Sequence, residues 1–191
     1  MKPGVAFAVS AVALCAMQVS ATETANASLC RAGEHQYFSC HIQGSAKVAS
    51  LCGNVDLSSL DRTTIFNERD TAYLQYRFGT PINIEMMYPK QGRNSFKKFG
   101  GSNIRNYFGA LQEVTFSVGK YRYSVSSEAF AQDDVRNDIK EFYGIRVWES
   151  MSLTPKEFNC ATSPFADPSR SRDTWGDFDK ITEQLSELNR R

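Results

Sequence analysis

Residues 113–125 read EVTFSVGKYRYSV, and this stretch decides the fold. Apolar and polar side chains alternate on both sides of Gly119-Lys120, as they do in strands that bury one face. Glycine at the first central position suits a two-residue type II′ turn, so the stretch predicts an antiparallel hairpin. The predicted register places six side chains on one face of this hairpin: Val114, Phe116, Val118, Tyr121, Tyr123 and Val125.

Two further hairpins are predicted upstream. Residues 36–42 and 47–52 alternate around a turn that contains Gly44, and residues 72–78 and 82–86 alternate around Gly79. In the strand over residues 72–78 the alternation predicts one inward and one outward face. The inward face carries Leu74, Tyr76 and Phe78, and the outward face carries Tyr73, Gln75 and Arg77.

Downstream, residues 142–148 and 156–160 predict two more strands, and residues 129–141 predict a short helix from their four-residue apolar spacing. We therefore expect a mainly β fold: antiparallel hairpins that form a curled sheet or small barrel, stapled by disulfides, with a C-terminal helix. Residues 28–160 form this β-rich domain. Residues 161–191 read as a polar linker and an amphipathic helix, and we expect the domain to fold without them. The helical stripe consists of Phe178, Ile181, Leu185 and Leu188.

The N-terminus reads as an export signal. Residues 1–21 combine Lys2, a short apolar run and small residues before Ala21, the pattern of a removable secretory signal peptide. Cleavage after Ala27 is the alternative position. No other apolar run reaches the roughly 20 residues of a transmembrane helix. The sequence therefore predicts a periplasmic or secreted protein without a transmembrane segment.

Four cysteines remain after the predicted cleavage, and they allow three pairings. If the turn of the first hairpin is centred near Ala46, Cys40 lies opposite Cys52 at a separation that suits a disulfide. Cys30 would then pair with Cys160 and tie the two ends of the domain. A zinc site is the alternative for these cysteines, but no Cys-x-x-Cys pair is present, and we predict no metal.

Several short motifs are the basis of a resemblance between this chain and other proteins. The sequence contains FSC at residues 38–40, SLC at 50–52, YLQYRFG at 73–79 and Glu85 before Tyr88-Pro89. Over roughly residues 30–160 this pattern resembles a set of small exported bacterial proteins of uncharacterised function. The resemblance implies a periplasmic setting and a disulfide-bonded β-rich domain, and it implies no known activity.

The prediction of function rests on residues 89–111. This segment has no acidic residue, and its aromatic side chains interleave with basic ones. A long connection inside a compact domain is usually functional or disordered. We predict that it forms a basic aromatic loop that engages a protein or an anionic envelope component, with an ordinary solvated loop as the alternative. The candidate binding residues are Lys90, Arg93, Lys97, Lys98, Arg105 and Tyr107, together with Tyr73 on the outward face of its strand.

Catalytic motifs are scarce. The sequence has no Gly-x-Ser-x-Gly, no His-Glu-x-x-His, no P-loop and no Gly-x-Gly-x-x-Gly. We therefore expect a non-enzymatic binding protein of inhibitor, immunity or envelope-accessory type, without a cofactor. The alternative is a hydrolase of unfamiliar type in the cell envelope, using Ser95 with Lys98 or His41 with a nearby carboxylate.

The charge balance excludes one class of partner. The chain has 22 Lys+Arg and 21 Asp+Glu, and removal of residues 1–21 takes away only Lys2, which leaves 21 of each. Nonspecific nucleic-acid binding depends on a net positive field. We therefore predict no nucleic-acid partner.

Overall fold

The described part of the chain folds into two antiparallel sheets and a C-terminal helix. The computed structural model describes residues 28–55, 72–92, 95–131, 139–162, 168–188 and 190; the predicted signal peptide lies outside them. Sheet 1 contains β1 (His35–His41), β2 (Val48–Gly53), β3 (Leu74–Thr80) and β4 (Asn83–Tyr88). Sheet 2 contains β5 (Gly100–Asn106), β6 (Gly109–Val118), β7 (Tyr121–Ala131), β8 (Ile139–Glu149) and β9 (Lys156–Asn159). A 3₁₀ turn at Phe96–Lys98 precedes sheet 2, and helix α1 spans Pro168–Leu188.

The hairpin over residues 113–125 forms in the predicted register, as part of the longer strands β6 and β7. Gly119 has φ +57°, the left-handed conformation that a type II′ turn requires at its first central position. The short helix predicted over residues 129–141 is wrong at both ends. Ala131 ends β7 and Ile139 begins β8, so cross-strand pairing overrides the four-residue spacing there. Residues 132–138 lie outside the described ranges.

The two sheets meet at one corner. An isolated bridge pairs Ile42, just after β1, with Cys160, just after β9. Backbone hydrogen bonds extend this contact: the Gln43 N–H donates to the Asn159 carbonyl at 2.8 Å, and the Ala161 N–H donates to the His41 carbonyl at 2.7 Å. The mainly β, disulfide-stapled fold is thus confirmed, but the sheets are not closed into the small barrel that was one expected form.

Phe116 lies at the centre of the aromatic core between the sheets. Its ring is stacked on Tyr123 at 5.0 Å and on Tyr88 at 4.9 Å, and it contacts Tyr76 at 5.0 Å and Phe99 at 5.4 Å. Aromatic pairs at these spacings add to the free energy gained by burying the rings. Strand β6, the first strand of this hairpin, therefore contributes the ring that holds sheet 1 and sheet 2 together.

Helix α1 is part of this core. Phe178, Ile181 and Leu185 are buried, and all three belong to the same apolar cluster as the strands. A side chain at Gly101 would place its Cβ 2.4 Å from the Leu185 Cβ, so only glycine permits this close approach of helix and strand. The predicted apolar stripe therefore packs into the core, and folding of the β-rich domain without residues 161–191 stays a prediction.

The outer face of sheet 1 is a second buried layer. Residues 29–34, which we call the N-terminal strap, lie across β2 and β3. Gln75 and Arg77, predicted to face solvent, are buried beneath the strap, and the Arg77 residue is only 1% exposed. The prediction that Gln75 and Arg77 face solvent is wrong, because Arg77 pairs with Glu34 of the strap and Gln75 is hydrogen-bonded to Arg77 and to the Pro89 carbonyl.

The two disulfides differ from the predicted pairing. The structure has Cys30–Cys52 and Cys40–Cys160, each with Cα atoms 5.4 Å apart. The β1–β2 turn is centred near Gly44, so Cys40 lies opposite Ala49 and not opposite Cys52. An odd shift of register moves a side chain to the other face of a sheet. Cys40 therefore faces the core and reaches Cys160, and Cys52 faces the strap and reaches Cys30.

Replacement of Ile181 by alanine tests the contribution of the helix. The side chain is fully buried, so we expect Ile181→Ala to lower the free energy of unfolding by roughly 2–5 kcal/mol. Lys180→Ala, at a partly exposed neighbouring position, serves as the control and should cost at most about 1 kcal/mol. Urea denaturation measures both changes, and equal small losses would show that the helix is only loosely attached.

Candidate functional site

The predicted basic aromatic loop is largely ordered structure. Within residues 89–111, the 3₁₀ turn, strand β5 and the start of β6 occupy more than half of the segment. Phe96, the first residue of the turn, and Phe99, the residue after it, are buried in the core. The expectation of a long loop is thus corrected: its first two aromatic side chains anchor the segment and are unavailable to a partner.

The candidate lysines of this segment lie at the surface. Lys90, Lys97 and Lys98 are exposed, and no ion pair to them is found among the described residues. Lys97 and Lys98 occupy the 3₁₀ turn, whose position is fixed by the buried rings on either side. Arg93 lies outside the described residues.

The Arg105 side chain contacts helix α1. Its guanidinium, on a side chain that is 61% exposed, forms an ion pair with Asp179. The Asp179 carboxylate also accepts hydrogen bonds from Asn103 Nδ2 at 2.8 Å and Gln112 Nε2 at 2.7 Å. Burial raises the pKa of Asp179, but these three donors together hold the pKa below its ordinary value. Asp179 therefore ties strands β5 and β6 to the helix, beside a polar groove of about 430 Å³.

Tyr73 belongs to a buried polar cluster and not to an open face. Its hydroxyl donates to Glu34 Oε1 at 2.6 Å. Arg77 donates from both terminal nitrogens to the same carboxylate at 2.5 and 2.6 Å, and it also donates to the Gln75 side chain and the Leu29 carbonyl. The Glu34 side chain is only 6% exposed. Because each charge is paired and hydrogen-bonded, the cluster is built to stabilise the strap.

One group in the described part of the chain has the donor atoms for a metal. A sulfur or carboxylate oxygen of Cys30, Cys52 and Glu34 lies within 4.8 Å of the other two. The two sulfurs are joined in a disulfide, and the carboxylate is engaged by Arg77. These atoms therefore serve as a cross-link and an ion pair in this structure.

The residues considered for hydrolysis are buried or lack a carboxylate neighbour among the described residues. Ser95 is fully buried, and its hydroxyl accepts a hydrogen bond from the Leu74 N–H at 2.6 Å. A substrate cannot reach this oxygen without disruption of the start of β3. Among the described histidines, His35 and not His41 has a carboxylate neighbour, with Nε2 2.9 Å from Asp177 Oδ2. This contact joins β1 to helix α1.

The exposed apolar side chains at one end of sheet 2 form the strongest candidate site. We define the tip surface as Ile104, Tyr107, Phe108 and Ile139, all of them exposed; Tyr107 is 76% and Phe108 53% exposed. Tyr107 and Phe108 occupy the β5–β6 turn, with ring centroids 5.5 Å apart. These two rings are the centre of the tip surface, and the strand register places Ile104 and Ile139 on opposite faces of sheet 2 beside them. Exposed large apolar groups that lie together, as the two rings do, mark interaction sites more reliably than single ones.

The backbone beneath the tip surface is well fixed. The Asn106 side-chain oxygen accepts hydrogen bonds from the Phe108 N–H at 2.9 Å and the Gly109 N–H at 3.1 Å. The Ala131 N–H donates to the Phe108 carbonyl at 2.8 Å, which joins the turn to the end of β7 beside Ile139. The tip surface is therefore preformed, and binding would order little additional backbone.

Only part of the tip surface is predictable from the sequence. Tyr107 was a predicted binding residue, and Phe108 lay in the predicted segment. Ile104 alternates along β5, and Ile139 was assigned to the apolar side of a short helix. Only the strand register brings Ile139 beside the β5–β6 turn, and no local sequence signal indicates this contact.

Comparisons with protein-family models, with curated proteins and with solved structures find no match to this chain. Among the described residues, no helix has both the length and the apolar character that crossing a membrane requires. The two disulfides indicate an oxidising compartment outside the cytoplasm.

The pKa of Glu34 predicts acid sensitivity. Burial raises this pKa, but hydrogen bonds from Arg77, Tyr73 and the Arg31 N–H lower it from 4.5 to about 2. Because the folded-state pKa lies below the unfolded value, the stabilisation is complete above pH 4.5 and is lost as the pH falls toward 2. The shift corresponds to roughly 3 kcal/mol.

Urea denaturation between about pH 6 and about pH 3 should detect roughly 2 kcal/mol of this loss, since Glu34 titrates in the unfolded chain within that range and stays largely ionised in the folded one. Glu34→Gln, which cannot ionise at this position, should show a correspondingly shallower decline in stability with acid. Parallel pH profiles for the variant and the wild type would contradict the assignment.

Proposed function

We propose that this chain is an exported, non-enzymatic binding protein that recognises a protein partner through the tip surface. The observation that carries the proposal is the group of large apolar side chains held on one well-ordered turn and the adjoining strand end. Tyrosine and phenylalanine are common anchors of protein interfaces, where their burial supplies much of the binding energy.

The setting of the tip surface also favours a protein partner. Arg105 lies two residues before Tyr107 on the same hairpin, with a side chain that is 61% exposed and paired with Asp179. An apolar centre with a charged group at its edge has the composition of a typical protein interface. The partner surface that fits best is an apolar recess with a polar rim.

The compartment follows from two observations. The disulfides indicate an oxidising environment, and the predicted signal peptide supplies a route of export. We infer that the protein acts in the periplasm or after secretion. The resemblance to small exported bacterial proteins supports the same setting. An inhibitor, immunity or envelope-accessory role is consistent with binding through a rigid turn.

Site-specific photo-crosslinking can identify the partner and the contact together. A photoreactive residue in place of Tyr107 should capture a protein from the envelope fraction, while the same residue at Lys97 should not. With the captured protein purified, Phe108→Ser should weaken binding at least about tenfold, equal to about 1.4 kcal/mol. The paired change Lys97→Ala and Lys98→Ala should have less than about a twofold effect.

The reverse pattern would overturn the assignment of the tip surface. Strong loss in the lysine variant with no loss in Phe108→Ser would place recognition on the 3₁₀ turn. A turnover assay on peptidoglycan, lipid and peptide substrates tests the hydrolase alternative. Activity that disappears in Ser95→Ala or His41→Ala, with folding intact, would show that the protein is an enzyme.

A further inference from the structure

A second exposed surface lies at the end of sheet 2 opposite the tip surface. The β6–β7 turn and the β8–β9 turn meet there, at the other end of the 11-residue strand β7. At a rise of about 3.3 Å per residue, the two ends are roughly 35 Å apart. We define the distal surface as Tyr121, Arg122, Trp148, Met151 and Leu153.

The β8–β9 turn projects two apolar side chains completely into solvent. Met151 is 100% exposed and Leu153 is 98% exposed. Met151 also has φ +70°, in the left-handed region that a residue with a side chain rarely adopts. Such conformations persist where the surrounding structure imposes them, and they occur often at functional sites.

Hydrogen bonds impose this conformation. The Ser150 N–H donates to the Lys120 carbonyl at 2.8 Å, which joins the turn to its neighbour. The Ser152 N–H donates to the Glu149 carbonyl at 2.9 Å, and the Ser152 hydroxyl donates to the Thr154 carbonyl at 2.8 Å. An ordered turn therefore holds the side chains of Met151 and Leu153 in solvent.

Aromatic and basic side chains surround these two residues. The Arg122 guanidinium lies over the Trp148 ring at 4.4 Å, and Lys120 Nζ lies 5.4 Å from the centre of the Tyr121 ring. Lys156, at the start of β9, is a third cation beside these turns, and its Nζ lies 5.1 Å from the centre of the Phe158 ring. The carboxylate of Glu149 pairs with Lys120 and is the one acidic group of these two turns. The distal surface therefore has apolar side chains at the end of the β8–β9 turn and a net positive charge around them.

A groove of about 310 Å³ separates the two turns. Ser117, Lys120, Arg122 and Glu149 are among the residues that line it. The Ser150 and Ser152 hydroxyls donate to the Lys120 and Thr154 carbonyls, so the donors that this groove offers to the oxygen atoms of a phosphodiester are the Ser117 hydroxyl, the Lys120 ammonium and the Arg122 guanidinium.

We propose that the distal surface docks the protein peripherally on a membrane that contains anionic phospholipids. Met151 and Leu153 enter the boundary between headgroups and acyl chains, and Trp148 and Tyr121 lie at headgroup level. Arg122, Lys120 and Lys156 face the lipid phosphates, to which their charge is complementary. A convex turn with fully exposed apolar side chains suits insertion into a fluid bilayer better than packing on a folded protein.

This docking also gives the tip surface an orientation. With the distal surface on the membrane, the tip surface is held roughly 35 Å away and remains open to a partner. The two sites use different residues at opposite ends of the same strands. The membrane inference therefore stands or fails independently of the protein partner.

Vesicle sedimentation with the exported, disulfide-bonded protein tests the inference. The protein should sediment with vesicles of equal parts phosphatidylglycerol and phosphatidylcholine, and at least about tenfold less with pure phosphatidylcholine, because the cations require anionic lipid. The double variant Met151→Ser and Leu153→Ser should lose at least about tenfold in affinity for the anionic vesicles. Ile104→Ser with Phe108→Ser is the matched control at the tip surface and should bind as the wild type does.

Fluorescence provides a second readout at the site. Trp148 and Trp175 are the two tryptophans of the chain, so Trp175→Phe leaves Trp148 as the reporter. Its emission should shift to the blue with anionic vesicles and should be quenched by lipids brominated near the headgroup. Added salt and the paired change Lys120→Gln and Lys156→Gln should each weaken sedimentation.

Three results would overturn the proposal. One is the absence of sedimentation with anionic vesicles. Another is equal binding of the wild type and the Met151/Leu153 variant to those vesicles. The third is capture of a protein by a photoreactive residue at position 151 without any vesicle binding, which would make the distal surface a protein interface.

Discussion

The buried ion pair between Arg77 and Glu34 is the interaction on which the rest of the structure depends. A guanidinium can be buried beneath a protein segment only if its donors and its charge are satisfied. Glu34 supplies the charge and two acceptor atoms, and Gln75 and the Leu29 carbonyl supply the remaining acceptors. The N-terminal strap can therefore cover sheet 1, which becomes the middle layer between the strap and the aromatic core. The Cys30–Cys52 disulfide fixes the strap in this position.

Local patterns predicted the strands whose alternation and turn chemistry agree. The hairpin over residues 113–125 formed in its predicted register because glycine at the turn and six inward side chains specify the same pairing. The disulfide pairing was mispredicted because it depends on where the β1–β2 turn is centred. The alternation of apolar and polar residues does not fix that position to within a few residues. The buried face of β3 was missed because Glu34, the partner of Arg77, is 43 residues away in sequence. No local signal relates the two residues.

The candidate sites show the same division between local and long-range information. Basic and aromatic composition drew attention to residues 89–111, but composition does not distinguish a ring that packs inward, such as Phe99, from one that faces solvent, such as Tyr107. The distal surface left almost no trace in the sequence, since Met151 and Leu153 resemble ordinary core residues there. Their exposure follows from the pairing of β8 with β9, which ends at Val147 and Lys156 and leaves Met151 and Leu153 in the turn beyond the ladder. Sheet 2 thus presents a tip surface and a distal surface at opposite ends, while Phe116 and the Cys40–Cys160 disulfide attach it to sheet 1.

A double-mutant cycle at positions 34 and 77 tests the central claim most directly. Urea denaturation would compare the wild type with Glu34→Gln, Arg77→Met and the variant that carries both changes. Each single change leaves a buried group without its partner, so the account predicts losses of roughly 3–5 kcal/mol. The double variant should lose at least about 2 kcal/mol less than the sum of the two, because the second change removes the group that the first left unpaired. Strictly additive losses would contradict the account, since they would show that the two side chains stabilise the strap and sheet 1 independently.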